Sequence, residues 1–102
     1  MASWHKVAET GDPGPGVVKM VEVAGEYIAL CNVEGEYHAI EDVCTHDGGS
    51  LDQGELDGSE IECPRHGARF CVKTGRVLCL PAIIGLRVYP VKVEGNAVLI
   101  EI

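Results

Sequence analysis

Basic residues are scarce in this chain of 102 residues: 8 Lys plus Arg stand against 16 Asp plus Glu, for a formal net charge of −8. That balance excludes the phosphate-neutralising surface on which nucleic-acid binding depends. Long apolar runs are missing too, and nothing approaches the length of a membrane span. The opening, Met1-Ala2-Ser3-Trp4-His5-Lys6, lacks the charged-then-apolar order of a secretion signal. Helical periodicity is absent, as are repeats, linkers and low-complexity stretches. A chain of this length buries about two thirds of its unfolded surface, enough for one domain and too little for two. Residues 1–102 are therefore read as a single domain.

What is present reads as all-β. Val17 to Val23 alternates imperfectly, Glu26 to Val33 is apolar and rich in β-formers, and Glu36 to Ile40 follows a Glu34-Gly35 turn. Gly54 to Glu62 reads as two short strands around an Asp57-Gly58 turn. Arg69 to Val72 and Arg76 to Cys79 flank Lys73-Thr74-Gly75. Leu86 to Val93 pairs with Ala97 to Ile102 across Glu94-Gly95-Asn96. Asp12-Pro13-Gly14-Pro15-Gly16 is a loop without evident chemistry.

Two segments carry the chemistry. Cys44-Thr45-His46 and Cys63-Pro64-Arg65-His66-Gly67 each place a thiolate and an imidazole in one tight loop, C-x-H and C-x-x-H, with sixteen residues between His46 and Cys63. Soft thiolate and borderline imidazole, offered twice, make a four-ligand metal site that suits zinc or an iron–sulfur centre rather than calcium or magnesium. Structural zinc sites usually segregate their cysteine pair from their histidine pair, whereas here each pair is mixed. The other two histidines, His5 near the start and His38 within an alternating strand, read as ordinary surface or half-buried residues.

The mixed order closely resembles the Rieske [2Fe–2S] family, in which two cysteines hold one iron and two histidines the other. The likeness extends to Cys44-Thr45-His46-Asp47-Gly48-Gly49 and to Cys63-Pro64-Arg65-His66-Gly67, and it covers a chain of about the family's domain length. It implies an antiparallel β-sandwich with a small cluster-binding subdomain of two loops, about residues 42–80. It also implies one [2Fe–2S] cluster, with Cys44 and Cys63 on the buried iron and His46 and His66 on the outer one. Pro64 would restrict the second loop, while Gly48, Gly49 and Gly67 either aim N–H groups at cluster sulfurs or serve as ordinary turn formers. Pro81-Ala82-Ile83-Ile84-Gly85 resembles the proline-containing loop that covers the cluster in this family, or is a plain apolar connector.

Departures from the family pattern indicate the branch. The respiratory members resemble C-T-H-L-G-C and C-P-C-H-G-S-x-Y, with a disulfide joining the loops and two hydroxyls bonding the cluster. Here Gly49 and Arg65 replace the bridging cysteines, and Ala68 and Phe70 replace the hydroxyl residues. Fewer donors disfavour the reduced state, which implies a low potential. Rieske oxygenases carry a far larger domain with a second iron held by two histidines and a carboxylate, and nothing here can supply it. The resemblance therefore implies a carrier, not an enzyme: a soluble ferredoxin taking electrons from a reductase, flavin-dependent or otherwise low in potential, and passing them to an oxygenase. Asp47 and Arg65, beside the histidines, are candidate partner contacts, or else solvated or packed on their own loops. Rival readings are the small Rieske subunit of an assimilatory nitrite reductase, a structural zinc-binding interaction module, or an accessory of stress response or cluster assembly.

Cysteine use suits a reducing cytoplasm: beyond the two proposed ligands, Cys31, Cys71 and Cys79 form an odd set without disulfide spacing and read as small buried hydrophobes. Half of all acids, Glu41, Asp42, Asp47, Asp52, Glu55, Asp57, Glu60 and Glu62, fall between residues 41 and 62 without one basic residue, and Arg65, Arg69, Lys73 and Arg76 follow. Such a run is either a solvated face or a steering surface for fast, transient docking by a monomer. From Ala68 and Phe70 we expect a negative midpoint, near the low end of the Rieske span at about −150 mV; a clearly positive value in a potentiometric titration would refute the hydroxyl inference.

Overall fold

The structure is a computed structural model, and it describes residues 3–43, 50–64, 67–79 and 85–102. All regular structure among them is β: β1 (Trp4–Glu9), β2 (Val18–Val23), β3 (Glu26–Val33), β4 (Glu36–Glu41), β5 (Glu55–Asp57), β6 (Glu60–Glu62), β7 (Arg69–Cys71), β8 (Val77–Cys79), β9 (Val88–Tyr89), β10 (Val91–Glu94) and β11 (Ala97–Glu101). They form three antiparallel sheets, ordered β1-β11-β10, β2-β3-β4-β9 and β5-β6-β7-β8. The antiparallel all-β expectation holds.

The tight turns explain much of the register. Ala24-Gly25 joins β2 to β3 and Glu34-Gly35 joins β3 to β4, each with positive φ at both central positions, 50° and 82°, then 54° and 93°. That is the type I′ pattern, whose twist matches the flanking strands. The turn expected at Asp57-Gly58 lies one residue further on. Asp57 pairs with Glu60, leaving Gly58-Ser59 as the loop, with Gly58 at φ 60° in the first central position.

Two sequence readings need correction. Leu86 to Val93 is not one strand: Pro90 lacks the N–H that a ladder needs, and the run splits there. Val88–Tyr89 pairs with β4, while Val91–Glu94 crosses to the first sheet and pairs with β11. The N-terminal segment, read only for signals, is strand β1 on the other side of β11. Its alternation is weak because it lies at a sheet edge, half exposed.

Strand β3 is buried along six consecutive positions, Ile28 to Val33. Because side chains alternate, it supplies two cores. Ile28 and Leu30 join Val23, Ala39, Tyr89, Val98 and Ile100 in the core against the first sheet. Ala29, Cys31 and Val33 join Ile40, Leu51, Ile61, Cys63, Ala68, Phe70, Val72 and Leu86 in the core against the third. The middle sheet therefore carries the β5–β8 sheet on one face and closes the sandwich with the other. Asn32, the buried polar residue of β3, is satisfied through its Nδ2 donating to the Pro13 carbonyl at 2.9 Å and its Oδ1 accepting from the Gly35 amide at 2.7 Å. That gives the Asp12–Gly16 loop a role in anchoring.

Truncating Leu30 removes a fully buried side chain from the sandwich core alone. Leu30→Ala should lower the unfolding free energy by about 2–5 kcal/mol in denaturant titration. The visible spectrum of the native protein should be unchanged, because Leu30 faces away from the β5–β8 sheet.

Candidate metal centre

Of the four proposed ligands, Cys63 lies within the described residues, and Cys44, His46 and His66 lie outside them. So do Asp47, Gly48, Gly49, Arg65 and Pro81. Among the described residues no cluster of three or more histidine, cysteine or acidic side chains is placed to hold a metal.

Cys63 leaves the end of β6 and is 1% exposed. Two backbone bonds close the loop that begins with it: its amide donates to the Ala68 carbonyl at 2.7 Å, and the Gly67 amide donates to its carbonyl at 3.1 Å. Gly67 has φ 77°, which only glycine adopts without strain. Ala68 and Phe70 are both fully buried and bring only hydrocarbon to the loop base. The donor chemistry fits an iron–sulfur centre: Cys63 offers a soft sulfur in a dry setting, at the root of a turn closed by main-chain bonds and stiffened by Pro64.

The stem of the first loop is held by a side chain. Asp42 Oδ1 accepts from the Leu51 amide at 2.9 Å and the Asp52 amide at 2.8 Å, and its Oδ2 accepts from the Ser50 hydroxyl at 3.2 Å. The two ends of the 43–50 segment therefore meet at one carboxylate. The Ser50 hydroxyl, with its one proton, lies within reach of both Asp42 and Asp52, and Gln53 donates to Asp52 at 2.9 Å. Burial and then the hydrogen bond with Asp52 hold the Asp42 carboxyl above its ordinary value. Burial works against ionising Asp52 as well, but bonds from Ser50, Asp42 and Gln53 outweigh it and hold that carboxyl low. Sequence reading counted Asp42 as one more acid in a run. The signal it missed is local: an aspartate placed to cap a loop that returns eight residues later.

The acidic run and the basic residues after it are not segregated in space. Glu55 pairs opposite Glu62, and Asp57 opposite Glu60, so four carboxylates share one face of the β5–β6 ladder. Like charges directly opposite are destabilising. Arg69, in register with Glu62, reaches Glu62 at 3.1 Å, Glu60 at 3.5 Å and Asp57 at 3.7 Å. Its guanidinium pKa is raised, chiefly by Glu62. A second acidic surface adjoins the first loop. A cleft of about 370 Å³ is lined by Glu26, Tyr27, Glu41, Asp42, Val43 and Tyr89, with Tyr27 59% exposed.

The cysteines outside the proposed ligand set divide. Cys31 is fully buried, and burial followed by the Asp42 charge pushes its thiol up to about 12. Cys71 is half-buried, which corrects its reading as a core residue. Burial raises its pKa, but hydrogen bonds from Thr74, Lys73 and Ser59 outweigh that and bring it below the ordinary value. The Cys79 side chain lies outside the described residues.

A β-sandwich carrying a separate four-stranded sheet, with a buried cysteine at the root of a C-P-x-H-G loop, defines an iron–sulfur protein of the Rieske class. The Rieske [2Fe-2S] domain matches residues 3–90, and the chain belongs to that family. It is 47% identical over 87 residues to the ferredoxin component of a naphthalene 1,2-dioxygenase system of Pseudomonas aeruginosa, covering 85% of this chain and 84% of that one. It is 41% identical over 97 residues to the ferredoxin component of biphenyl 2,3-dioxygenase of Rhodococcus jostii (strain RHA1), covering 95% and 91%. A solved complex of reduced oxygenase and oxidized ferredoxin in carbazole 1,9a-dioxygenase contains a chain that superposes with a TM-score of 0.91 at 39% identity, covering 95% of this chain and 91% of that one. A nitrite reductase small subunit from Mycobacterium tuberculosis shares the fold, with a TM-score of 0.87 at 21% identity. The cofactor is thus one Rieske-type [2Fe–2S] cluster, and the chain is an electron-transfer protein rather than a catalytic oxygenase. The zinc-module reading is set aside.

At pH 8, iodoacetamide should modify Cys71 in the native protein and spare Cys31, because the alkylating species is the thiolate and Cys31 stays protonated far above that pH. Peptide mass spectrometry reads the pattern; equal modification of both residues would contradict the assigned environments.

Proposed function

We propose that this chain is the ferredoxin of a ring-hydroxylating dioxygenase system, accepting one electron from a flavin-dependent reductase and delivering it to an oxygenase. The carrying observation is the likeness over nearly the whole chain to ferredoxin components of such systems. Cys44 and Cys63 are assigned to the buried iron, and His46 and His66 to the outer one, as a single domain over 1–102 with its cluster-binding part at about 42–80. When bound, the cluster supplies reversible one-electron chemistry.

The chain's own residues do the rest. The main-chain bonds from Cys63 to Ala68 and from Gly67 to Cys63 close the base of the second loop. Ala68 and Phe70 withhold hydroxyl donors, which keeps the potential low enough to serve an oxygenase. The acidic cleft at Glu26, Glu41 and Asp42 borders the first loop and suits a partner that presents basic side chains there, with Asp47 and Arg65 as further contacts. Complementary charge of this kind raises the association rate more than the affinity, as transient docking by a monomer needs. No helix among the described residues is long and apolar enough to cross a membrane, and the unpaired cysteine set suits the cytoplasm.

Reconstitution tests the reading. With NADH, a flavin reductase and a ring-hydroxylating oxygenase component, the chain should restore dihydroxylation of an aromatic substrate, at a rate that falls as salt rises. Isolation as a stable one-to-one complex with a large nitrite-reducing subunit would overturn it.

A further inference from the structure

We propose that Gly54 and Asp42 are positioning residues that together set the spacing between the two ligand loops. The inference rests on the ligand assignment above and concerns residues outside the assigned ligand set.

Gly54 has an ordinary φ, so it is not glycine for the sake of a left-handed backbone; Gly58 and Gly95, by contrast, each have φ 60° and open space around the missing side chain. At Gly54 the reason is room. A Cβ there would lie 1.9 Å from the Glu62 carbonyl oxygen, 3.1 Å from its carbon and 3.2 Å from the Leu51 oxygen. All three are backbone atoms and cannot swing aside as a side-chain tip could. Glu62 is the residue immediately before Cys63. Gly54 closes the turn in which its amide donates to the Leu51 carbonyl at 2.9 Å.

Leu51 in turn is tied to Asp42, two residues before Cys44, through the 2.9 Å bond from its amide. A short mechanical path therefore runs from the entry of the first loop, through the Asp42 carboxylate, through the 51–54 turn, to the carbonyl that precedes Cys63. Leu51 and Cys63 pack in the same core cluster at 0% and 1% exposure, so the path has no slack on its inner side. An alanine at 54 must push that carbonyl or the turn from 1.9 Å to beyond 3.0 Å, a displacement of more than 1 Å. Metal–ligand distances tolerate only about 0.2 Å. A backbone shift of that size beside Cys63 is several times that distance window.

The experiment uses the full chain, purified with its cluster. Wild type and Cys63→Ser come first: a cluster in the former and none in the latter upholds the ligand assignment, whatever the Gly54 and Asp42 variants show. Gly54→Ala should then lose most of its iron and acid-labile sulfide while keeping the far-UV circular dichroism of the sandwich. Its residual cluster should show shifted g-values after dithionite reduction. Gly14→Ala, at a position with ordinary φ and no atom near the added methyl, serves as the neutral control. Asp42→Ala should deplete the cluster likewise. Asp42→Asn keeps an oxygen to accept from the Leu51 and Asp52 amides and should restore it. Wild-type iron content and g-values in Gly54→Ala would overturn the proposal, as would Asp42→Asn as depleted as Asp42→Ala. If Gly54→Ala fails to fold, the Asp42 pair decides.

Discussion

Burial of β3 on both of its faces governs how every other part of the molecule is held. An antiparallel strand normally offers one side to a core and one to water. Here Ile28 and Leu30 hold the sandwich together, while Ala29, Cys31 and Val33 hold the β5–β8 sheet that bears the second loop. The redox end of the molecule is therefore packed on the same strand that anchors its scaffold. Cys31 illustrates the consequence. Buried so completely that its thiol is pushed up to about 12, it behaves as a small hydrophobe.

On that platform the described stems of the two loops are tied mainly by backbone hydrogen bonds and close packing. Among the described residues Cys63 is a free, buried cysteine with no disulfide. In place of a covalent tie, the described residues show the Ala68 carbonyl receiving the Cys63 amide, the Asp42 carboxylate gathering three donors, and glycine backbones lying directly against carbonyls at Gly54 and Gly75. Each tie depends on its neighbours staying in register. The surrounding charge is partly neutralised from within. Arg69 bridges three carboxylates of the β5–β8 sheet, and in the cleft by β4 Arg87 pairs with Glu26 at 3.5 Å while Glu41 accepts from the Arg87 amide at 2.9 Å.

Much of this was legible in the chain. The Glu34-Gly35 turn, the strands Glu26–Val33 and Glu36–Glu41, and the short strands on either side of the second loop all announce themselves through alternation and glycine. What sequence reading missed has physical causes. Strand β1 lies at an edge and is half exposed, so its pattern is faint. The break at Pro90 sits inside an apolar run and shows itself only when the two halves pair with different sheets. The charge pattern misled because residues 57, 60, 62 and 69 are separated in sequence order yet adjacent across a ladder.

The chain alone narrowed the cofactor by ligand softness to zinc or an iron–sulfur centre, and the resemblance of its mixed ligand order to the Rieske family chose between them and implied which hydroxyl donors are missing at 68 and 70. Folding had to settle which acids are neutralised, which cysteine is accessible, and why Asp42 and Gly54 must be what they are. Those are questions of distance between segments remote along the chain. A residue's type limits what it can bond, but the packing of β3 between two sheets decides what it can reach.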